Sequence, residues 1–266
     1  MELIRLNNGT KIPSVGFGVY QIPEKETEQC VLNALMIGYR HIDTARDYGN
    51  EREVGSAILK SGIPRNKIFL TTKIAGAYSY QKACQSIDEA LEKLQTDYID
   101  LLLFHWPSGN INETYRAMED YYKQGKLKAI GVSNFFGDNF NKIIQKCTVI
   151  PMINQVEAHI FHQRKELQKE MEQYSILLEA WSPLACGKNN IFHNTTLERI
   201  AQVHHKSIAQ VALKFLNQKG IIIIPKSIHI ERMKENLDIL NFRLSDNEMK
   251  EIELLDKNQS LFGWYE

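Results

Sequence analysis

The chain is short of the features that mark several whole classes of protein. Its 266 residues include only four cysteines, Cys30, Cys84, Cys147 and Cys186, with no close pair among them. That spacing suits neither a zinc site nor a redox dithiol and is compatible with reduced thiols. Charge of one sign is also missing, because 32 basic residues cancel 32 acidic ones. No Lys/Arg cluster stands clear of acidic neighbours, which removes the electrostatic footprint of a nucleic-acid or anionic-membrane binder. No apolar run approaches the roughly 18 residues of a membrane span. The opening segment MELIRLNNGTKIPS lacks a basic region followed by an apolar core, so a cytoplasmic location is expected. No stretch rich in Pro, Gly and Ser divides the chain, and residues 1–266 are read as one domain. The expected partner is a small, diffusible molecule.

What is present is a repeated alternation. LIRLNNGTKIP reads as a hairpin with Asn-Gly at its turn. Eight short apolar runs follow: SVGFGVY, YRHIDTA, IFLTTKI, IDLLLFHW, LKAIGVSN, PMINQVE, ILLEAWSP and GIIIIPKS. IDLLLFHW, too short and too apolar to leave a polar face, fits a strand buried on both sides, as in a parallel sheet. Between most of them lie segments of helical spacing, such as KETEQCVLNALMIG and INETYRAMEDYYKQGK. Strand followed by helix, eight times over, predicts an α/β fold, a (β/α)8 TIM barrel with an N-terminal β-hairpin. An additional C-terminal helix is expected at SDNEMKEIELLD, where Ser245 and Glu248 stand at capping-box spacing.

In this architecture chemistry gathers at the carboxyl ends of the strands. Asp43 follows the second strand, Tyr48 lies in the next loop, Lys73 ends the third strand and His105 the fourth. Singly, each has an ordinary explanation: a turn aspartate, a packing tyrosine, a hydrogen-bonded histidine. Together they converge on one mouth and form a usable acid, with the phenol as donor, the ammonium beside it and the carboxylate holding the ammonium. A nearby ammonium stabilises phenolate and is expected to draw the tyrosine pKa down from about 10 by roughly one to three units. A neutral imidazole at His105 is expected to donate a hydrogen bond to a carbonyl oxygen and orient it. None of these groups can deliver hydride, so a nicotinamide cofactor is required.

These residues lie within wider motifs: GYRHIDTARDYGNEREVG, LLLFHWP, GVSNF, NQVEAH, and IPKS followed by ERMKEN. In kind and in order they resemble the signatures of the aldo-keto reductase family over almost the whole chain. The resemblance implies a catalytic tetrad of Asp43, Tyr48, Lys73 and His105, with Tyr48 as proton donor, and NADPH as cofactor. It implies that Ser133, Asn134 and Gln155 bind the nicotinamide carboxamide, and that Trp181, where the family usually has Tyr, stacks on the ring. Ser182 and Leu184 would then meet the pyrophosphate, Lys226, Ser227 and Arg232 the 2'-phosphate, and Glu235 and Asn236 the adenine. Tyr20 and Trp106, with His105, would line the substrate pocket, and Phe262, Trp264 and Tyr265 in the tail would cover it. The implied substrate is a small carbonyl compound such as methylglyoxal, a keto-sugar or an aromatic aldehyde, and the implied state a monomer.

His159 and His162 stand three apart, but no third ligand is evident, so they are read as solvent-facing or structural rather than metal-binding. Two rival functions remain open at this stage: an NADPH-binding regulatory or structural protein with little turnover, and a phosphosugar enzyme using Lys73 as a Schiff-base amine.

Overall fold

The computed structural model describes residues 2–77 and 79–263. A two-stranded hairpin, β1 (Leu3–Arg5) and β2 (Lys11–Pro13), opens the chain. Gly9 makes its turn at a φ of 89°, a conformation that costs glycine little. Eight strands then alternate with helices: β3 (Phe17–Gly18), α1 (Glu24–Ile37), β4 (His41–Asp43), α2 (Glu51–Lys60), β5 (Phe69–Ile74), α3 (Tyr80–Lys93), β6 (Leu101–Phe104), α4 (Ile111–Lys123) and β7 (Ile130–Ser133). The series continues with α5 (Gly137–Lys146), β8 (Ile153–Glu157), α6 (Lys165–Glu172), β9 (Leu177–Trp181), α7 (Thr195–His204), α8 (Ile208–Gln218), β10 (Ile222–Ile223), α9 (Ile230–Leu237) and α10 (Asp246–Glu253). Each of the eight apolar runs contributes one strand.

Strands β3 to β10 pair in sequence order, all parallel. A parallel bridge between Val15 and Ile223 joins the two ends of the sheet, with the Gly16 N–H donating to the Ile223 carbonyl at 2.8 Å. The fold is a (β/α)8 barrel. At Gly16 a side chain has no room: a Cβ there would lie 2.5 Å from Nδ1 of His41.

Period-two alternation sorts the strand residues into two environments. Ile42, Leu70, Leu102, Phe104, Ile130, Val132, Val156, Leu178 and Ala180 face outward and join the helices in the main core. Phe69, Leu101, Leu103, Ala129, Ile153 and Ile222 face inward and fill the amino-terminal end of the barrel, where Leu6 and Ile12 of the hairpin region close it. Further along the same inward columns the residues become polar: His41 and Asp43 on β4, Thr71 and Lys73 on β5, Gln155 and Glu157 on β8, Glu179 on β9. The apolar end fixes the height at which these polar groups sit.

The capping box of α10 forms in full. Ser245 Oγ accepts from the Glu248 N–H, and the Glu248 carboxylate accepts from the Ser245 N–H. Among the described residues no helix is long and apolar enough to cross a membrane.

Candidate active site

The carboxyl ends of β4, β5 and β6 place Asp43, Lys73 and His105 around one opening, and the short 3-10 turn Arg46–Tyr48 folds Tyr48 over it. Lys73 is the hub. Its Nζ donates to Asp43 Oδ1 at 2.7 Å, to the Thr44 carbonyl at 2.9 Å and to the Tyr48 hydroxyl at 3.2 Å. All three ammonium protons therefore have partners in a site with no solvent exposure at the lysine. Burial alone would lower the Lys73 pKa, but Asp43 and Tyr48 outweigh it and hold the ammonium above its ordinary value.

Tyr48 behaves differently from the expectation of a depressed pKa. Burial raises it to about 12, against the opposing pull of Lys73. The phenol is thus fully protonated at neutral pH, and the ammonium beside it limits the rise without reversing it. His105 stands across from Tyr48, ring centroids 5.8 Å apart and nearly perpendicular. Its Nδ1 lies 3.1 Å from Oδ2 of Asp47, a residue the sequence motifs did not single out. Tyr20 packs on Tyr48 at 4.9 Å and Trp106 on His105 at 5.9 Å, so the predicted pocket residues form one continuous aromatic wall.

Beneath this mouth lies a second layer. Gln155 Nε2 donates to Asp43 Oδ2 at 2.8 Å and to Glu179 Oε2 at 3.1 Å. Burial, with Asp43 close by, pushes the Glu179 carboxyl up to about 8. Glu179 Oε1 lies 3.6 Å from Nε2 of His41, whose pKa burial lowers to about 4. At neutral pH both are therefore uncharged, and the separation is not that of an ion pair. Glu179 was also missed in the sequence; its position two residues before Trp181 was the available signal, since alternate residues of β9 share the barrel interior.

The predicted carboxamide residues are adjacent. Ser133 pairs with Gln155 across β7 and β8. Asn134, at a φ of 63°, donates from Nδ2 to Ser133 Oγ at 3.0 Å and to the His105 carbonyl at 3.2 Å. The indole N–H of Trp181 donates to Asn134 Oδ1 at 2.9 Å, which fixes the plane of the ring. Ser182 has a left-handed φ of 51°, and Ala185 to Asn190 include several more such residues, so the loop after β9 turns tightly. Ser182 Oγ lies 3.2 Å from Cys186 Sγ, and Leu184 packs on the core.

After β10, Lys226 and Arg232 are exposed, and their side chains make no hydrogen bond or ion pair among the described residues. Ser227 Oγ accepts from the His229 N–H at 3.0 Å. Glu235 and Asn236 lie on α9, Asn236 buried.

The described part of the tail docks at the carboxyl ends of β8 and β9. Glu157 accepts from Ser260 Oγ at 2.6 Å and from the Leu261 N–H at 2.9 Å, and Phe262 meets Trp181 edge-on at 5.2 Å. Trp264 and Tyr265 lie outside the described residues. His159 is buried, not solvent-facing, with Nε2 2.9 Å from Glu157 Oε1. His162 is buried beside it, and burial lowers its pKa to about 4. Among the described residues no group of three or more His, Cys, Asp or Glu is placed to hold a metal ion.

With this geometry established, known proteins supply an independent comparison. The sequence pattern of the Aldo/keto reductase family matches residues 10–257. The chain belongs to the aldo/keto reductase family. It is 41% identical over 261 residues to the glyoxal reductase of Bacillus subtilis, covering 97% of this chain and 94% of that one. The crystal structure of an aldo-keto reductase enzyme from a Medee basin deep-sea metagenome library superposes with a TM-score of 0.94 at 39% identity, covering 97% of both chains. A Bombyx mori aldo-keto reductase solved in complex with NADP gives a TM-score of 0.91 at 30% identity over 97% of this chain and 94% of that one. As an aldo/keto reductase the protein is an oxidoreductase, and this kinship supports carbonyl reduction.

Proposed function

We propose that this aldo/keto reductase reduces aldehydes or ketones to alcohols with NADPH, Tyr48 donating the proton. The observation that carries the reading is Lys73 Nζ bridging Asp43 and the Tyr48 hydroxyl at 2.7 and 3.2 Å in a buried site. A carbonyl oxygen placed at Tyr48 gains negative charge as its carbon is reduced. The hydroxyl proton of Tyr48 moves to that oxygen, and the tyrosinate left behind is stabilised by the ammonium it already contacts. Asp43 keeps the ammonium in place. The pKa of about 12 keeps the donor loaded, and Lys73 prevents the high value from making it a useless acid.

The residues present fit the cofactor. Ser133, Asn134 and Gln155 group hydroxyl and amide functions beside Trp181, the complement of a carboxamide and a flat ring. Gln155 commits its NH2 to Asp43 and Glu179, leaving its oxygen as an acceptor. Lys226 and Arg232, two exposed cations without a partner carboxylate among the described residues, suit a doubly charged phosphate and favour NADPH over NADH. Ser182 and Leu184 would border the pyrophosphate, and Glu235 and Asn236 the adenine. When bound, NADPH supplies the hydride that no side chain here can.

Loss of NADPH absorbance with a panel of small aldehydes and ketones tests the reading, wild type beside Tyr48→Phe. Turnover by wild type, with a nearly inactive variant that still binds NADPH, supports it. NADPH binding without turnover by either protein refutes it in favour of a cofactor-binding module.

A further inference from the structure

The neighbour of His105 decides which way that histidine can hydrogen-bond. Asp47 sits on the turn that carries Tyr48, and its Oδ2 is 3.1 Å from His105 Nδ1. The hydrogen bond to His105 holds the Asp47 carboxyl below its ordinary pKa. An ionised carboxylate only accepts, so the proton between the two belongs to Nδ1. Burial keeps His105 below its usual pKa despite Asp47, with Lys73 also opposing a second proton. One proton on Nδ1 leaves Nε2 with a bare lone pair, and Nε2 makes no hydrogen bond among the described residues.

This reverses the polarity expected of a neutral imidazole that donates to a carbonyl. A plain aldehyde or ketone offers acceptors only. It would satisfy the Tyr48 hydroxyl and leave the Nε2 lone pair unmatched once the bound substrate displaced the water that can reach it. A hydroxyl group on the carbon next to the carbonyl supplies the missing donor. Its oxygen lies close to the carbonyl oxygen, and the rings of Tyr48 and His105 stand only 5.8 Å apart between centroids, within the span of one small substrate.

We propose that Asp47 is a positioning and specificity residue: it locks His105 as a hydrogen-bond acceptor, and the mouth thereby favours α-hydroxycarbonyl compounds over those lacking the hydroxyl donor. The inference rests on the proposed carbonyl reduction for its substrate half. The tautomer half stands on the Asp47–His105 contact alone.

Two measurements separate them. Nitrogen-15 NMR of histidine-labelled protein near neutral pH, with His105 assigned by its loss in His105→Gln, reads the tautomer. Wild type should show the Nδ1–H form, and Asp47→Ala, a half-exposed position where folding is little at risk, should shift toward Nε2–H. Steady-state kinetics with NADPH then compare 3-hydroxybutan-2-one with its O-methyl ether, which keeps the electron withdrawal but not the donor. The hydroxyketone should be favoured by about tenfold or more in kcat/KM, mainly through KM, and Asp47→Ala should cut that ratio to about twofold. An Nε2–H tautomer in wild type, or a substrate ratio unchanged by Asp47→Ala, overturns the inference. If wild type reduces no carbonyl compound at all, the functional reading falls and takes the substrate half with it, while the spectrum still decides the role of Asp47.

Discussion

The two ends of the barrel interior are built on the same strands and differ in everything but geometry. At the amino-terminal end Phe69, Leu101, Leu103, Ile153 and Ile222 pack as an apolar plug. Two residues beyond Phe69, Leu103 and Ile153 the inward positions are Thr71, His105 and Gln155, polar groups about as thoroughly buried as the plug. Burial of apolar surface stabilises the fold, whereas burial of Asp43, Lys73, His41 and Glu179 is tolerated only because each has a partner or loses its charge. One end therefore holds the structure and the other stores unfavourable electrostatics in a defined arrangement. A chain selected for stability alone would have no reason to place Glu179 where its carboxyl is pushed up to about 8.

The sharpest way to break this contrast is to find a polar-end residue whose removal costs stability but not rate. Tyr48→Phe should instead lower kcat by about 10²–10⁴-fold, the usual contribution of a general acid. Thermal melting should leave its stability nearly unchanged. Lys73→Met strands Asp43 without its cation, so it should both abolish turnover and destabilise by about 3–5 kcal/mol in a denaturant titration. The plug should show the opposite pattern. Leu103→Ala is expected to cost about 2–5 kcal/mol, with kcat per folded molecule within about twofold of wild type because the cavity lies below the chemistry. A smaller effect belongs to the rim, where Lys226→Ala combined with Arg232→Ala should reduce the preference for NADPH over NADH by about 10–100-fold in kcat/KM. An unchanged preference would remove these two residues from the phosphate site.

The least dramatic test is one of pH. Glu179 keeps its proton up to about 8 in the folded chain, while an unfolded chain releases it near 4.5. The folded state therefore binds the extra proton between those values, and its stability falls as pH rises through that window. Glu179→Gln should remove this slope, so its melting temperature should gain on wild type from pH 5 to pH 8. His41 works on the acid side: its pKa drops from 6.5 to about 4. The unfolded state binds the extra proton there, and stability falls as pH drops from 6.5 toward 4. A Glu179→Gln variant with an unchanged pH profile would mean that the polar end is not held uncharged as described.

Much of this was readable in the residues. The eight strands fell on the eight apolar runs, because a strand buried on both faces must be continuously apolar outside its polar tip. That Asp43, Tyr48, Lys73 and His105 would gather at one opening was readable because each lies at or just beyond the carboxyl end of a strand, where this architecture gathers its chemistry. Asp47 was not, since nothing in ARDYGNE announces that its carboxylate will reach a histidine 58 positions away. The pKa of Tyr48 departs from what the sequence leads one to expect for a related reason. The sequence supplies the neighbouring ammonium but not the extent of burial, and burial was the larger influence.

The sequence by itself determined the order of strands and helices, the turn at Gly9, the cap at Ser245 and the family to which the chain belongs. These rest on local periodicity, backbone preference and motif, all of which act over a few residues. Tertiary structure alone decided that Gln155 reaches Asp43 from 112 positions away, that Glu179 loses its charge and that His105 presents a lone pair. Those outcomes depend on desolvation and on distances of about 3 Å between side chains from different strands, quantities that come into existence only when the barrel closes.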